Sequence, residues 1–270
     1  MMTTTQKARL LHIRHDLVDN CPTCGGVGYV STDEGGTRPC SCMSVFRWVM
    51  ALVLARVPPV TWRLSPLVDD LIDPAAVGAV RSRISTWPSA VSNGIGMVFS
   101  GPNGTGKTTL GCELLKHALS IGSRAGYITA NEYVNALKPN SPTAHLVPWV
   151  EALQVAFIDE LDKPYGKEGS TFVASQMDGL IRAAAVNGQV LIFATNASSE
   201  ELCDRYGNSF CSALERSCTS VLVAGADLSR KVQERHGAMA SEAFDYAHPQ
   251  IVRWAQVYEM NTYLETRTIL

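Results

Sequence analysis

The segment Phe99-Ser100-Gly101-Pro102-Asn103-Gly104-Thr105-Gly106-Lys107-Thr108-Thr109 restricts the fold of this chain more than any other, because it carries the pattern G-x-x-x-x-G-K-[ST] between an apolar run and a helical one. In that setting the pattern is a turn that cradles phosphate. Gly101, Gly104 and Gly106 let the backbone curl so that successive N–H groups point inward, Lys107 brings a mobile cation toward the β- and γ-phosphates, and Thr108 offers a hydroxyl to Mg²⁺. Asn103, Thr105 and Thr109 complete the stretch expected to wrap the nucleotide. Ile95 to Ser100 reads as a buried strand, and Lys107 to Ser120 carries a helical repeat through Leu110, Leu114, Leu115 and Ala118. A nucleoside triphosphate, ATP, is the expected ligand.

Such a ligand needs a metal and, for hydrolysis, a polarised water. Val155-Ala156-Phe157-Ile158-Asp159-Glu160 supplies both kinds of group: four apolar residues form a strand buried on both faces and push Asp159 to its carboxyl end, where a doubly wound sheet gathers its ligands. Asp159 is the expected Mg²⁺ partner, and Glu160 the expected base or water-orienting group. Gln189 to Asn196 repeats the design, with Asn196 able to donate an amide proton to the attacking water or the γ-phosphate and Thr195 able to help hold it. Further strands are predicted near Ala125 to Thr129 and Ser220 to Val223, and helices over Thr171 to Val186 and Ser199 to Tyr206. The order predicts a three-layer α/β domain with a mainly parallel sheet.

Cys21-Pro22-Thr23-Cys24 and Cys40-Ser41-Cys42, joined by a loop rich in glycine, form two close thiol pairs suited to a tetrahedral structural Zn²⁺ site. Reduced surface thiols or a redox pair are the other readings of the same residues. His12 and His15 are near enough in sequence to replace one ligand, while Cys112, Cys203, Cys211 and Cys218 read as small core residues. The chain opens on polar threonines without an apolar signal stretch, and the run Val49 to Ala55 is too short to cross a bilayer. A cytoplasmic, reducing location with no membrane partner is expected, where clustered thiols more often hold metal than disulfide.

The sequence divides into a zinc-binding and partner-binding unit at residues 1–57, a linker and helical approach at 58–94, an ATPase core at 95–232 and a helical tail at 233–270. Pro58, Pro59, Pro66 and Pro74 mark the linker; Arg81, Arg83 and Trp87 fall in a helix before the P-loop strand. A helix over Ser44 to Ala55 presents Val45, Trp48, Val49, Leu52 and Val53 on one broad face, to be covered either from within or by a partner protein. Helical patterns recur from Leu228 to Phe244 and beyond Pro249, through Ile251, Trp254, Val257 and Tyr258. The formal charge of −2 does not announce a nucleic-acid binder, so DNA contact needs a local patch, with Arg124, Lys163 and Lys167 as candidate members.

Taken together, Cys21/Cys24/Cys40/Cys42, the Val57-Pro58 approach, Gly101 to Thr109, Asp159-Glu160, Thr195-Asn196 with Glu200-Glu201-Leu202, and Gly225-Ala226-Asp227 to Arg230 resemble the AAA+ ATPases of the bacterial and phage helicase-loader group, to which transposon-encoded ATPase helper proteins are also similar. The resemblance implies a homo-oligomer with ATP at subunit junctions, contact with single-stranded DNA through the ATPase domain, and an N-terminal domain that grips a hexameric replicative helicase. It also implies an arginine reaching a neighbour's γ-phosphate. Arg216 is the candidate, with Arg182 competing; members commonly have Ser-Arg-Leu where this chain reads Ser212-Ala213-Leu214, which displaces the arginine by nearly one helical turn. Arg230 is similar to the second, nucleotide-sensing arginine, offset by one residue.

The implied activity is Mg-dependent ATP hydrolysis that serves as an assembly and release switch in helicase loading. A transposition helper that remodels target DNA for a transposase would share these motifs. A scaffold that binds ATP without cutting it and a metabolic P-loop kinase are further alternatives, the first opposed by intact Lys107, Asp159, Glu160 and Asn196 and the second by the Asp159-Glu160 pair with Thr195-Asn196.

Overall fold

A computed structural model describes residues 3–62, 71–163 and 171–230, together with Ile251, Ala255, Gln256 and Tyr258. The expectations for Pro66, Lys167, Trp254, Val257, the helix continuing past Arg230 and most of the tail lie outside the described residues.

The N-terminal part begins with α1 (Thr4–Arg14), which runs into a π-helical turn over His15–Asp19. Thr3 caps α1 in a capping box with Gln6. A short antiparallel hairpin follows, β1 (Tyr29–Ser31) with β2 (Thr37–Pro39), and then α2 (Ser41–Leu54). α2 starts earlier than its apolar pattern suggests because Cys40 takes the N-cap position in extended conformation, so the last cysteine pair straddles the helix start. A 3₁₀ turn at Pro59–Thr61, α3 (Pro74–Ser85) and α4 (Trp87–Ser92) lead into the core. The expected single approach helix is thus two, broken at Thr86, and Arg83 in the first donates to Ile95 O at 3.2 Å and to Thr219 Oγ1 at 2.8 Å.

The core continues with β3 (Gly96–Ser100), α5 (Lys107–Ser120), β4 (Ala125–Thr129), α6 (Ala130–Ala136), α7 (Leu146–Glu151), β5 (Val155–Asp159), α8 (Thr171–Asn187), β6 (Val190–Thr195), α9 (Ser199–Tyr206), α10 (Asn208–Ser217) and β7 (Cys218–Leu222). The sheet order is β4-β5-β6-β3-β7, and every pairing is parallel. Strands β3, β5 and β6 are apolar on alternate residues toward both sides, so the sheet is buried on both faces. Phe99, Phe157 and Ile192 join one core cluster; Val98, Ile158 and Phe193 join the other. Parallel register sets Ser100 beside Thr195 and Ile158 beside Phe193, which brings the carboxyl ends of β3, β5 and β6 to one edge of the sheet.

Helix α5 lies close on this sheet. A Cβ at Gly111 would collide with the Phe157 ring, so glycine permits the approach. On its far side α5 carries Glu113 and Lys116, both fully buried, as an ion pair of 2.7 Å, and Lys116 Nζ also reaches Thr61 O at 3.3 Å. Two charges inside a core require mutual pairing. Here the N-terminal residues provide the cover.

The apolar face of α2 is closed from within, not left for a partner. Val45, Trp48, Val49, Leu52 and Val53 belong to the same core cluster as Leu110, Leu114 and Leu115 of α5, and Ile251 and Ala255 join them. After α2 the chain runs along β4, whose Tyr127 N–H donates to Ala55 O at 2.8 Å. Arg56 then pairs with Glu132 at 2.6 Å. The N-terminal residues are thereby packed continuously onto the α/β core.

Cys211 is buried in the core and Cys203 packs against it, as expected, and their sulfurs form a disulfide that the sequence reading did not include, with Cα atoms 5.7 Å apart. Gly207, at φ 86°, turns the chain so that α10 folds back beside α9 and carries the second cysteine to the first. Cys112 and Cys218 are buried free thiols, as expected. Among the described residues, no helix is long and apolar enough to cross a membrane.

Candidate nucleotide and metal sites

The P-loop leaves the middle of the sheet between β3 and α5. Gly101, Gly104 and Gly106 take φ of 143°, 73° and 95°, a backbone region favouring glycine. Gly104 must also lack a side chain because the Asp227 carboxylate lies where its Cβ would be, and Leu228 N–H donates to Gly104 O at 2.9 Å. Thr105 is buried and donates to Pro102 O at 3.0 Å; Asn103 is exposed at the tip, and Thr109 is half-buried in the first turn of α5. Lys107 is folded onto its own loop, donating to Gly101 O at 2.8 Å and Pro102 O at 2.5 Å. Burial lowers its pKa, opposed by the charges of Asp162 and Asp159.

The P-loop and the acidic strand tip converge. Thr108 Oγ1 donates to Asp159 Oδ2 at 2.8 Å, and Tyr127 Oη donates to the same oxygen at 3.0 Å. Burial raises the pKa of Asp159. A hard cation suits this pair of oxygen donors, and Mg²⁺ bound there would draw charge from the β- and γ-phosphates. Glu160 adopts φ 55°, which bends the chain away from β5 and leaves its carboxylate half-exposed, 3.0 Å from Lys163. This ion pair occupies the Lys163 ammonium, one of the suggested DNA contacts; Arg124 is exposed elsewhere, at the start of β4.

Beyond Glu160, Leu161 N–H donates to Ala194 O at 2.9 Å and prolongs the pairing of β5 with β6. That extension sets Asp162 against Asn196, whose backbone N–H and Nδ2 donate to its two carboxylate oxygens at 2.9 and 3.0 Å. Thr195 Oγ1 lies 3.3 Å from Asp162 Oδ1. Burial opposes ionisation of Asp162, but the Asn196 hydrogen bonds outweigh it and hold its pKa below the usual carboxylate range. Asp162 and Tyr127 escaped the sequence reading. The first had a signal in the spacing Asp159-Glu160-Leu161-Asp162; the second lies in another strand and had none.

A cavity of about 300 Å³ opens beside the P-loop, bounded by Ile72, Asp73, Thr105, Ala224, Gly225 and Leu228 among others. Asp73 caps α3 through one oxygen and accepts Ala224 N–H at 3.1 Å through the other, tying the two walls together. Of the arginines, Arg182 is held within its own chain by Asp178 at 2.8 Å and Ser209 at 2.7 Å. Arg216 is exposed in the last turn of α10, and Arg230 is exposed two residues after Leu228.

In the N-terminal part the Sγ atoms of Cys21, Cys24, Cys40 and Cys42 all lie within 4.8 Å of one another. Cys21 to Cys40 is 3.9 Å and Cys24 to Cys42 is 3.6 Å. Tetrahedral zinc at about 2.3 Å from each sulfur needs sulfurs about 3.8 Å apart, so the donor set fits. Gly28 N–H donates to Cys24 Sγ at 3.2 Å, and hydrogen bonding led by the Cys24 backbone lowers the Cys21 thiol to about 6, whereas burial pushes Cys42 up. A cation would hold all four as thiolates. His12 and His15 are not in the cluster; both lie against Asp16, at 3.4 and 3.3 Å. Purified protein is expected to carry about one zinc ion per chain by metal analysis, and Cys42→Ser to lose it together with thermal stability. Metal-free wild type of unchanged melting temperature would refute this.

Residues 97–206 match the family described as ATPase family associated with various cellular activities (AAA). The fold is accordingly an α/β AAA+ ATPase fold with a mainly parallel sheet and a small N-terminal cysteine-cluster module. Solved structures of similar fold include a helicase loader and a replication initiator. A crystal structure of the DnaC helicase loader aligns with a TM-score of 0.54 at 19% identity, covering 62% of this chain and 100% of that one. DnaI aligns at 0.52 with 16% identity over 63% of this chain and 93% of its own. The replication initiator DnaA, bound to AMPPCP and single-stranded DNA, aligns at 0.51 with 14% identity over 77% and 66%. No curated protein matches the chain by sequence.

Proposed function

We propose that this protein binds and hydrolyses Mg-ATP and uses that cycle to load a hexameric replicative helicase onto single-stranded DNA from the cytoplasm. The observation that carries the ATPase reading is the Thr108–Asp159 hydrogen bond of 2.8 Å, which joins the phosphate loop to the acidic strand tip at one point. Gly101 to Thr109 would cradle the triphosphate, Asp159 would hold the ion with Thr108, and Glu160 and Asn196 would align water. The cavity beside Thr105 is where the nucleoside end would extend. Arg216 is the preferred donor to a neighbour's γ-phosphate, because Arg182 is already engaged by Asp178 and Ser209. Arg230 would sense the bound nucleotide from the segment that caps Gly104.

The loader reading is supported by the likeness to the DnaC helicase loader and by the four-thiol module on the same core. With the apolar face of α2 internally covered, a partner would have to be met by the solvent-facing side of the N-terminal residues. Loss of the γ-phosphate bridge between subunits would loosen the assembly and release the helicase.

Native mass measurement tests assembly, partner and nucleotide dependence together. With a slowly hydrolysed ATP analogue the chain is expected to form a homo-oligomer and to capture a replicative helicase hexamer. A monomer under all nucleotide conditions, or capture of a transposase in place of the helicase, would overturn the loader assignment.

A further inference from the structure

We infer that Asp162 is a positioning residue for ATP hydrolysis, which fixes the Asn196 amide with an N–H directed toward the phosphate cradle. The inference rests on the ATPase reading above and extends it to a residue outside the P-loop and the Asp159-Glu160 pair.

A carboxylate can only accept hydrogen bonds, so the amide beside it must present Nδ2 and not its carbonyl oxygen. Asp162 spans the Asn196 backbone N–H with Oδ1 at 2.9 Å and Nδ2 with Oδ2 at 3.0 Å, which fixes both the rotamer and the sense of the amide. One of the two Nδ2 protons is used; the other remains for a ligand. The neighbouring Thr195 hydroxyl is held too, since Oγ1 lies 3.3 Å from Asp162 and accepts Ala197 N–H at 3.0 Å. The backbone just before Asp162 is anchored from both directions: Leu161 N–H is bonded to Ala194 O, and Leu161 O accepts the Tyr206 hydroxyl at 2.5 Å. A donor held before the ligand arrives needs no reorganisation when charge develops on the phosphate.

The test compares the full-length wild type with Asp162→Ala, Asp162→Asn, Asn196→Ala and the double variant Asp162→Ala/Asn196→Ala. Asp162→Ala is expected to lower kcat about tenfold to a hundredfold while KM for ATP stays within about threefold. Asp162→Asn, which keeps one acceptor, should fall between. The double variant should turn over no more slowly than Asn196→Ala alone. As a readout independent of turnover, Asp162→Ala should reduce the preference for ATPγS over ADP without weakening ADP. A kcat within about twofold of wild type, or losses that multiply in the double variant, would overturn the positioning role and leave the ATPase reading intact. A wild type that neither binds nor hydrolyses Mg-ATP would remove both. Should Asp162→Ala fail to fold, the Asp162→Asn and Asn196→Ala pair supplies the same cycle.

Discussion

Glu160→Gln is expected to bind Mg-ATP within about threefold of wild type and to lose at least about a hundredfold in turnover. The amide preserves size and can still touch a water, but it cannot take that water's proton. Its fold should be undisturbed: the carboxylate is half-exposed, and the bond it makes is a surface ion pair with Lys163, of a kind worth about 0–1 kcal/mol. The φ of 55° at Glu160 bends the chain after β5 and belongs to the backbone, so glutamine inherits the same mild strain. Fluorescent-nucleotide titration and phosphate release, measured on one preparation, separate the two quantities. Equal turnover in variant and wild type would reject Glu160 as the water-activating group.

Lys107→Ala should have the complementary effect and act on binding itself. Its ammonium currently donates to the carbonyls of Gly101 and Pro102, within the curve that would receive phosphate. Burial disfavours its charge, and a triphosphate would compensate for that far better than two carbonyls do. A charged hydrogen bond contributes about 1.5–3 kcal/mol, so removing it should raise Kd for ATP about tenfold to a hundredfold. Isothermal titration of ATP and ADP checks this, with circular dichroism to establish that the variant is folded. Unchanged affinity for both nucleotides would mean that the loop does not cradle phosphate.

Much of the frame was readable because it is local. The helix expected from Lys107 to Ser120 has those limits in the structure, and the strand ending at Asp159 and the helix from Ser199 to Tyr206 agree as closely, since apolar period and flanking turn residues act over a few positions. The four-cysteine cluster was readable for the same reason, from its paired spacing. What escaped depends on residues far apart in the chain. The Asp162–Asn196 contact spans 34 positions, and it forms because Glu160 turns and Leu161 extends the sheet. Ile72 and Asp73 line a cavity with Ala224, an adjacency set by packing and not by pattern. The pattern of α2 announced a face that needs cover but held no information about which element supplies it. The disulfide follows from a glycine turn between two short helices, invisible to a rule based on cellular redox state.

The burial of Glu113 and Lys116 against Thr61 has a mechanical reach. α5 starts at the phosphate loop and ends its buried side beneath the N-terminal residues, so a shift of this rod by even a fraction of a turn would drag a desolvated charge pair out of register with its lid. Severing the chain after residue 62 would strip that lid and wet the two charges, leaving the α/β core to be held together by a different and weaker interior.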